Sequence, residues 1–361
     1  MAELRNDRRL DMDDMNAALH LEGATLPGGW LVGARDTSAR AGGFSISYPV
    51  TGPDGRRGFL KVLDLVSVFG DLTDLSNTLN DFLIERDLVL LCGATAMSRV
   101  VVAIDHGQVT LDAYMPPLST VHYIVFEHAE GGDLSDALSA TRVDDLALRL
   151  DLIHDLAVGL RQLHAKNIAH QDVKPDNSLI FHRDRGLRSI GKVSDLGRAY
   201  QSGVSTSHDE DLIPGDRSFA PPEQLYGFQH PDVATRRFGA DLYQLGSLIC
   251  FTFGAVTFNA MLAERLAPEH HWSVFGDGFM NALPYIDEAF TDAIRDLRDT
   301  LPREVSPEVV SLIEYLCEPR PERRGHPRAR GKHGSPFSLE RVVAEINLAA
   351  VRARLRSRVT S

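Results

Sequence analysis

Asp172, Lys174 and Asn177, together with Asp195, are the side chains whose types and spacing could do chemistry. The first three fall within His170-Gln171-Asp172-Val173-Lys174-Pro175-Asp176-Asn177, between a helical run ending Leu163-His164-Ala165-Lys166-Asn167-Ile168 and the apolar Leu179-Ile180-Phe181. Asp195 stands in Ser194-Asp195-Leu196-Gly197, after the strand-like Lys192-Val193. Two carboxylates, an amine and an amide gathered by a tight turn suit phosphoryl transfer, which asks little covalent work of a protein and much positioning and charge neutralisation.

The pattern resembles the catalytic loop of the eukaryotic-like serine/threonine protein kinases. The resemblance implies ATP and magnesium (Mg2+) as cofactors and a task for each residue. Asp172 would accept the hydrogen bond of the substrate hydroxyl, Lys174 would steady the moving phosphoryl group, and Asn177 with Asp195 would hold the metal.

Composition sets the limits. A chain of 361 residues, 43% hydrophobic and 24% charged, is long enough for a sizeable core in one two-lobed domain or two ordinary ones. A net charge of -12 argues against nucleic acid as the main partner. Cys92, Cys250 and Cys317 lie far apart in apolar segments and read as reduced core thiols of a cytoplasmic protein. Residues 1–24 read as a loose leader without signal-peptide character. The uncharged run Leu242 to Leu262 has the length of a membrane span, but its polar residues and glycines favour a buried core helix, so no membrane partner is expected.

From Trp30 the pattern is β-like: Trp30 to Val32, Phe44 to Val50, Phe59 to Leu65, Val100 to Ile104 and Tyr123 to Phe126, a sheet of five strands. The turn Ala41-Gly42-Gly43-Phe44-Ser45 sits where a kinase glycine-rich loop would cover the nucleotide phosphates, with Gly42 and Gly43 permitting close backbone approach. As a bare segment it is equally a hairpin turn. Lys61 belongs to a set of five lysines against 33 arginines (38 minus 5) and precedes every other lysine. The resemblance makes it the residue gripping the α- and β-phosphates. Its partner would be Glu85 on a helix over Leu75 to Leu91, with Asp81 one turn earlier as the rival. Phe126-Glu127-His128-Ala129-Glu130-Gly131-Gly132-Asp133 resembles the hinge, Glu127 and Ala129 offering backbone groups to adenine and Asp133 reaching the ribose. Read alone, Asp133 is a helix N-cap.

Beyond the hinge the period becomes helical, with Leu146 to His164 delivering the chain into the catalytic loop. Pro221-Pro222-Glu223 resembles the end of an activation segment, Asp241 and Gly246 a buried helix beneath the loop, and Arg324 the arginine that pairs with Glu223. The fold class implied is α+β: a two-lobed kinase-like domain over 25–325, with a small β-rich N-lobe near 25–127 and a larger helical C-lobe near 128–325. Residues 326–361 read as a basic extension whose helix, Leu339 to Leu355, is solvated.

The function implied is ATP-dependent transfer of a phosphoryl group to serine or threonine of protein substrates, with a regulatory protein partner and a setting in bacterial signalling, stress or defence. The alanine- and arginine-rich usage and the Gly-Gly-Phe-Ser loop point to a divergent bacterial branch. A pseudokinase scaffold and a small-molecule kinase of the aminoglycoside-phosphotransferase kind are the alternatives. Lys174, Glu223, Asp241 and Arg324 favour protein substrates, and the complete set Lys61, Asp172, Asn177 and Asp195 weakens the scaffold reading. The chain departs from the family at Gln171, where an arginine is usual, at Leu196, where phenylalanine is, at Arg40 and Ser45, where glycines are, and at Asp216, where serine/threonine-specific members carry threonine. Gln171 lacks the charge to read a phosphate on the activation segment, and Arg198 and Arg217 are the arginines nearest in sequence. Activity without such a phosphate is the consequence expected.

Overall fold

The computed structural model of the chain describes residues 16–35, 44–68, 71–114, 118–140, 145–183, 188–330 and 335–360. Two compact units emerge. Met1–Thr95 with Val101–His128 forms the first, and Ala96–Val100 with Ala129–Ser361 the second.

The first unit is built on an antiparallel sheet of β1 (Thr25–Leu26), β2 (Trp30–Val32), β3 (Ser45–Thr51), β4 (Arg57–Leu63), β5 (Ala103–Thr110) and β6 (Thr120–Glu127), in the order β1-β2-β3-β4-β6-β5. Alternation along β3 and β4 turns Ile46, Tyr48, Val50, Leu60 and Val62 into one core with Trp30, Val32, Val121, Tyr123 and Val125. Lys61, between Leu60 and Val62, therefore emerges on the opposite face. Helix α1 (Leu72–Ala94) starts where the Asp71 side chain accepts from the Thr73 amide at 2.7 Å, and it buries Phe82, Glu85, Leu88, Val89 and Cys92.

The loose leader expected over 1–24 is folded from Asn16 onward. Ala17, Ala18 and Leu21 are buried in the sheet's core, the Tyr48 hydroxyl donates to the Ala18 carbonyl at 2.8 Å, and Asn16 Nδ2 donates to Asp64 at 2.9 Å. The sheet has six strands where five were expected, because the two-residue β1 carries too little pattern to register. The strand expected over Val100 to Ile104 begins at Ala103 and runs to Thr110 through half-exposed polar residues, while Val100 bridges Val193 within the second unit.

The second unit contains helices α2 (Leu134–Ala140), α3 (Leu146–His164), α4 (Pro222–Leu225), α5 (Val233–Gly254), α6 (Phe258–Arg265), α7 (Phe279–Thr300), α8 (Ser306–Leu316) and α9 (Glu340–Thr360). Two short antiparallel pairs accompany them: β7 (Ile168–Ala169) with β10 (Tyr200–Gln201), and β8 (Ser178–Arg183) with β9 (Arg188–Val193). The single helix expected over Leu242 to Leu262 is in fact the end of α5 and the start of α6, bent by 87°. Ala255 takes a left-handed φ of 59°, and Thr257 caps α6 by accepting from the Ala260 amide, so the chain turns without glycine or proline at the break. Among the described residues no single helix is long and apolar enough to cross a membrane.

The expected solvated terminal helix is also corrected. Helix α9 buries Val342, Val343, Ile346, Ala349, Ala350 and Ala353 and is tied to α3 by Arg161 to Glu340 at 2.9 Å and Arg354 to Asp151 at 2.6 Å. Leu355 remains exposed, and the small alanines let the helices approach where leucines would announce a stripe.

Candidate active site

In the first unit Lys61 stands at the middle of β4, register partner to Ser47 on one side and Ile124 on the other. Its Nζ reaches Glu85 Oε1 at 2.7 Å and Oε2 at 2.9 Å. Glu85 is only 4% exposed, so its charge depends on this cation. Glu127 closes β6, its carboxylate accepting from the Val102 amide at 3.1 Å. Gly42 and Gly43 lie outside the described residues.

In the second unit Ala129 accepts from the Gly132 amide at 3.4 Å, and Asp133 precedes α2. Asp133 and Asp136 cap one another, the Asp136 amide donating to Asp133 at 2.9 Å and the Asp133 amide to Asp136 at 3.3 Å. Burial is the main force raising the Asp133 carboxyl above the usual carboxylate range, and the charges of Asp136 and Asp176 add to it.

The catalytic-loop stretch is held from α5. Asp241 is fully buried and accepts from the His170 amide at 2.8 Å and the Gln171 amide at 2.7 Å. Gln244, one turn-length along the same helix, accepts from the Val173 amide at 3.0 Å and donates to the Gln171 carbonyl at 2.8 Å. Gln171 itself is held at φ 66°, a conformation that costs energy in a residue with a side chain and that sets the direction in which Asp172 leaves the loop.

Every oxygen of the Asp172 carboxylate is engaged. Oδ2 lies 2.9 Å from Lys174 Nζ and 2.9 Å from Asn177 Nδ2, and Oδ1 accepts from the Asp216 amide at 2.7 Å. Gly215 permits that approach, since a Cβ there would overlap the Gln171 carbonyl and come 2.7 Å from Asp172 Oδ1. Burial pulls the Lys174 amine downward, yet the charge and hydrogen bond of Asp172, with help from Asp216 and Asp176, hold it above the usual lysine value.

Asn177 ends the short helical turn Pro175–Asn177, and its carbonyl accepts from the Ser194 amide at 2.9 Å, which ties the turn to the residue before Asp195. Asp195 takes a φ of 58° and is solvent-exposed. With Nδ2 of Asn177 spent on Asp172, its Oδ1 and the Asp195 carboxylate are hard-oxygen donors of the kind magnesium takes. Among the described residues no cluster of three or more His, Cys, Asp or Glu side chains forms a metal cage, so a metal here would complete its shell with phosphate oxygens and water.

Two contributors had escaped sequence reasoning. Gln244 and Arg237 both lie on α5 within a turn or so of Asp241, and that spacing alone places them on the face that meets the loop. Arg237 Nη1 donates to Gln171 Oε1 at 2.6 Å.

Curated relatives align over part of the chain. It is 28% identical over 131 residues to Aurora/IPL1-related protein kinase 2 of Caenorhabditis briggsae, covering 36% of this chain and 38% of that one. It is 32% identical over 96 residues to serine/threonine-protein kinase DCLK1 of Rattus norvegicus, covering 27% and 22%, and 32% identical over 127 residues to dual specificity testis-specific protein kinase 1 of Mus musculus, covering 34% and 19%. The chain thus spans 38% or less of the length of each of these relatives. Residues 100–333, well over half of the chain, match the family model described as protein kinase domain. The arrangement around Asp172 and this match together place the chain in the eukaryotic-like protein kinase family.

Proposed function

We propose that the protein is an ATP- and magnesium-dependent kinase that phosphorylates serine or threonine hydroxyls of protein substrates. The observation that carries this reading is the engaged Asp172 carboxylate, with Lys174 and Asn177 each at 2.9 Å and the Asp216 amide at 2.7 Å. Asp172 accepts the acceptor hydroxyl's hydrogen bond and the proton that leaves it, while Lys174 neutralises charge on the transferring group. Asn177 and Asp195 would hold magnesium, which would supply positive charge against the nucleotide phosphates. In the first unit Lys61, fixed by Glu85, binds the α- and β-phosphates, with Gly42 and Gly43 as a backbone cover. Glu127 and Ala129 offer backbone groups to the base, and Asp133 a carboxylate to the ribose.

Serine/threonine preference rests on Lys174 beside Asp172, and Asp216 in place of threonine makes tyrosine the comparison to run. A cytoplasmic setting is supported by three buried free thiols, and a bacterial signalling or defence role by the compositional bias. The test is transfer of radiolabelled phosphate from ATP to the protein itself and to generic serine, threonine and tyrosine substrates, with Asp172→Asn as control. Incorporation on serine or threonine that vanishes in the control is expected, and absence of any incorporation by the wild-type chain removes the reading.

A further inference from the structure

Arg237 is one of the largest fully enclosed side chains in the second unit, at 2% exposure. Its position on α5, one turn before Asp241, turns it toward the loop that Asp241 holds. A buried guanidinium is costly unless its surroundings neutralise it and accept its donors. Here three stretches converge on its two terminal nitrogens and its charge, while Nε has no acceptor among the described residues. Nη1 donates to Gln171 Oε1 at 2.6 Å in the catalytic loop. Nη2 donates to the Asp209 carbonyl at 2.5 Å and stands 3.8 Å from Asp209 Oδ1. The guanidinium carbon lies 5.4 Å from the centre of the Tyr200 ring on β10. Burial, then the neighbouring Arg236, pulls its pKa below the usual arginine value, which marks how strongly the site needs the Asp209 charge.

The segment it grips is itself a closed turn. Asp209 accepts from the Thr206 amide at 3.0 Å, the Asp211 amide donates to the His208 carbonyl at 3.1 Å, and Arg198 meets His208 at 2.7 Å. Gln171 completes the link, donating its Nε2 to the Arg198 carbonyl at 2.9 Å while its Oε1 takes the Arg237 hydrogen bond. One buried cation thereby joins the residue before Asp172 to the segment around Asp209.

We propose that Arg237 is a positioning residue for phosphotransfer, clamping the unmodified segment 206–211 onto the catalytic loop through Gln171, with Asp209 supplying the anion. The proposal rests on the kinase reading for its catalytic consequence, but the clamp has a readout of its own. Hydrogen exchange across residues 198–217 and initial rates are measured on wild type, Arg237→Gln, Asp209→Asn and the transposed double variant Gln171→Arg with Arg237→Gln. Arg237→Gln is expected to accelerate exchange in that segment and to lower kcat by about tenfold or more, leaving the KM for ATP within about twofold. The transposed variant, whose longer side chain at position 171 returns a guanidinium to the same spot, recovers both. Asp209→Asn keeps the carbonyl contact and shifts both in the same direction by less.

Wild-type exchange and kcat in Arg237→Gln overturn the proposal, as does a loss that the transposition leaves unrecovered. Should Arg237→Gln fail to fold, Asp209→Asn decides, and unchanged exchange there rejects the clamp. An inactive wild type sinks the kinase reading alone, because the exchange comparison still reports on the clamp.

Discussion

Glu223 and Arg324, 101 residues apart, meet in a bidentate ion pair, Nη1 to Oε1 at 2.6 Å and Nη2 to Oε2 at 2.5 Å. Arg324 is fully enclosed, and its remaining donors reach the Glu318, Pro319 and Gly239 carbonyls while its charge lies 5.0 Å from the Tyr243 ring centre. Such a pair contributes little net stability over an apolar filling, but removing one partner strands a buried charge.

Glu223→Ala is therefore expected to cost about 3 to 5 kcal/mol in unfolding free energy. Arg324→Ala should be similar in scale, and the double variant much less costly than the sum, since the partners no longer strand each other. Denaturant melts of the four proteins measure this. Simple additivity would remove the pair from the account of stability.

Asp172→Asn should abolish phosphotransfer while leaving ATP affinity nearly intact, because the role proposed for its carboxylate, held by Lys174, Asn177 and the Asp216 amide, is toward the acceptor hydroxyl and not the nucleotide. Asp195→Asn should abolish transfer and also weaken magnesium-dependent nucleotide binding. Isothermal titration with ATP and magnesium separates the two, and wild-type turnover in Asp172→Asn contradicts its assignment.

The gathering of Lys174 and Asn177 around Asp172 was readable in the sequence because it depends on local spacing, and α3 because apolar residues recur from Leu146 to His164 behind the Asp145 cap. Glu85 was readable only as one of two acids a turn apart; the choice follows from which of them meets Lys61 on β4, 24 residues away in sequence. The core role of Ala17 and Leu21, the bend at Ala255 and the seat of α9 were not readable. Ala17 and Leu21 enter a core made by remote strands, α9 meets α3 through small alanines, and the turn at Ala255 is made by a left-handed alanine, none of which leaves a period to detect. Arg237 carried one signal, its place a turn before Asp241, but its bond to Gln171 joins parts of the chain 66 residues apart and could not be read from sequence.

Lys61→Met should lower phosphotransfer on the order of 100-fold, since it removes the cation that neutralises the phosphates and leaves Glu85 buried without it. Lys61→Arg should not restore activity, because a guanidinium can still pair with Glu85 but is wider and fixed in geometry where the proposed role calls for a compact point charge. Initial rates with saturating peptide test both, and activity near wild type in Lys61→Met removes Lys61 from the nucleotide site.

Cys92 should carry a share of the loss of stability at alkaline pH, beside the more deeply buried Cys250 and Cys317. Burial pushes the Cys92 thiol from 9.0 up to about 11, so the unfolded chain loses its proton first. Its contribution is therefore complete below pH 9.0 and declines as pH rises toward about 11. Thermal melts across that range should fall less steeply for Cys92→Ala than for wild type. Equal slopes would assign the alkaline loss to other groups.

Activity should persist without phosphate on the activation segment. Gln171 has no charge to bind one, Arg237 is already engaged by Gln171 and Asp209, and Arg198 by His208 with Asp211 3.9 Å away. Ser202, Ser205 and Ser207 are exposed, and Thr206 holds Asp209 through its amide at 3.0 Å and its hydroxyl at 3.4 Å, of which alanine retains the shorter amide bond. Replacing Ser202, Ser205, Thr206 and Ser207 together with alanine should then leave the initial rate on an exogenous substrate within a few-fold of wild type. A loss beyond about tenfold, equivalent to roughly 1.4 kcal/mol in barrier, would show that phosphorylation of this segment switches the enzyme on.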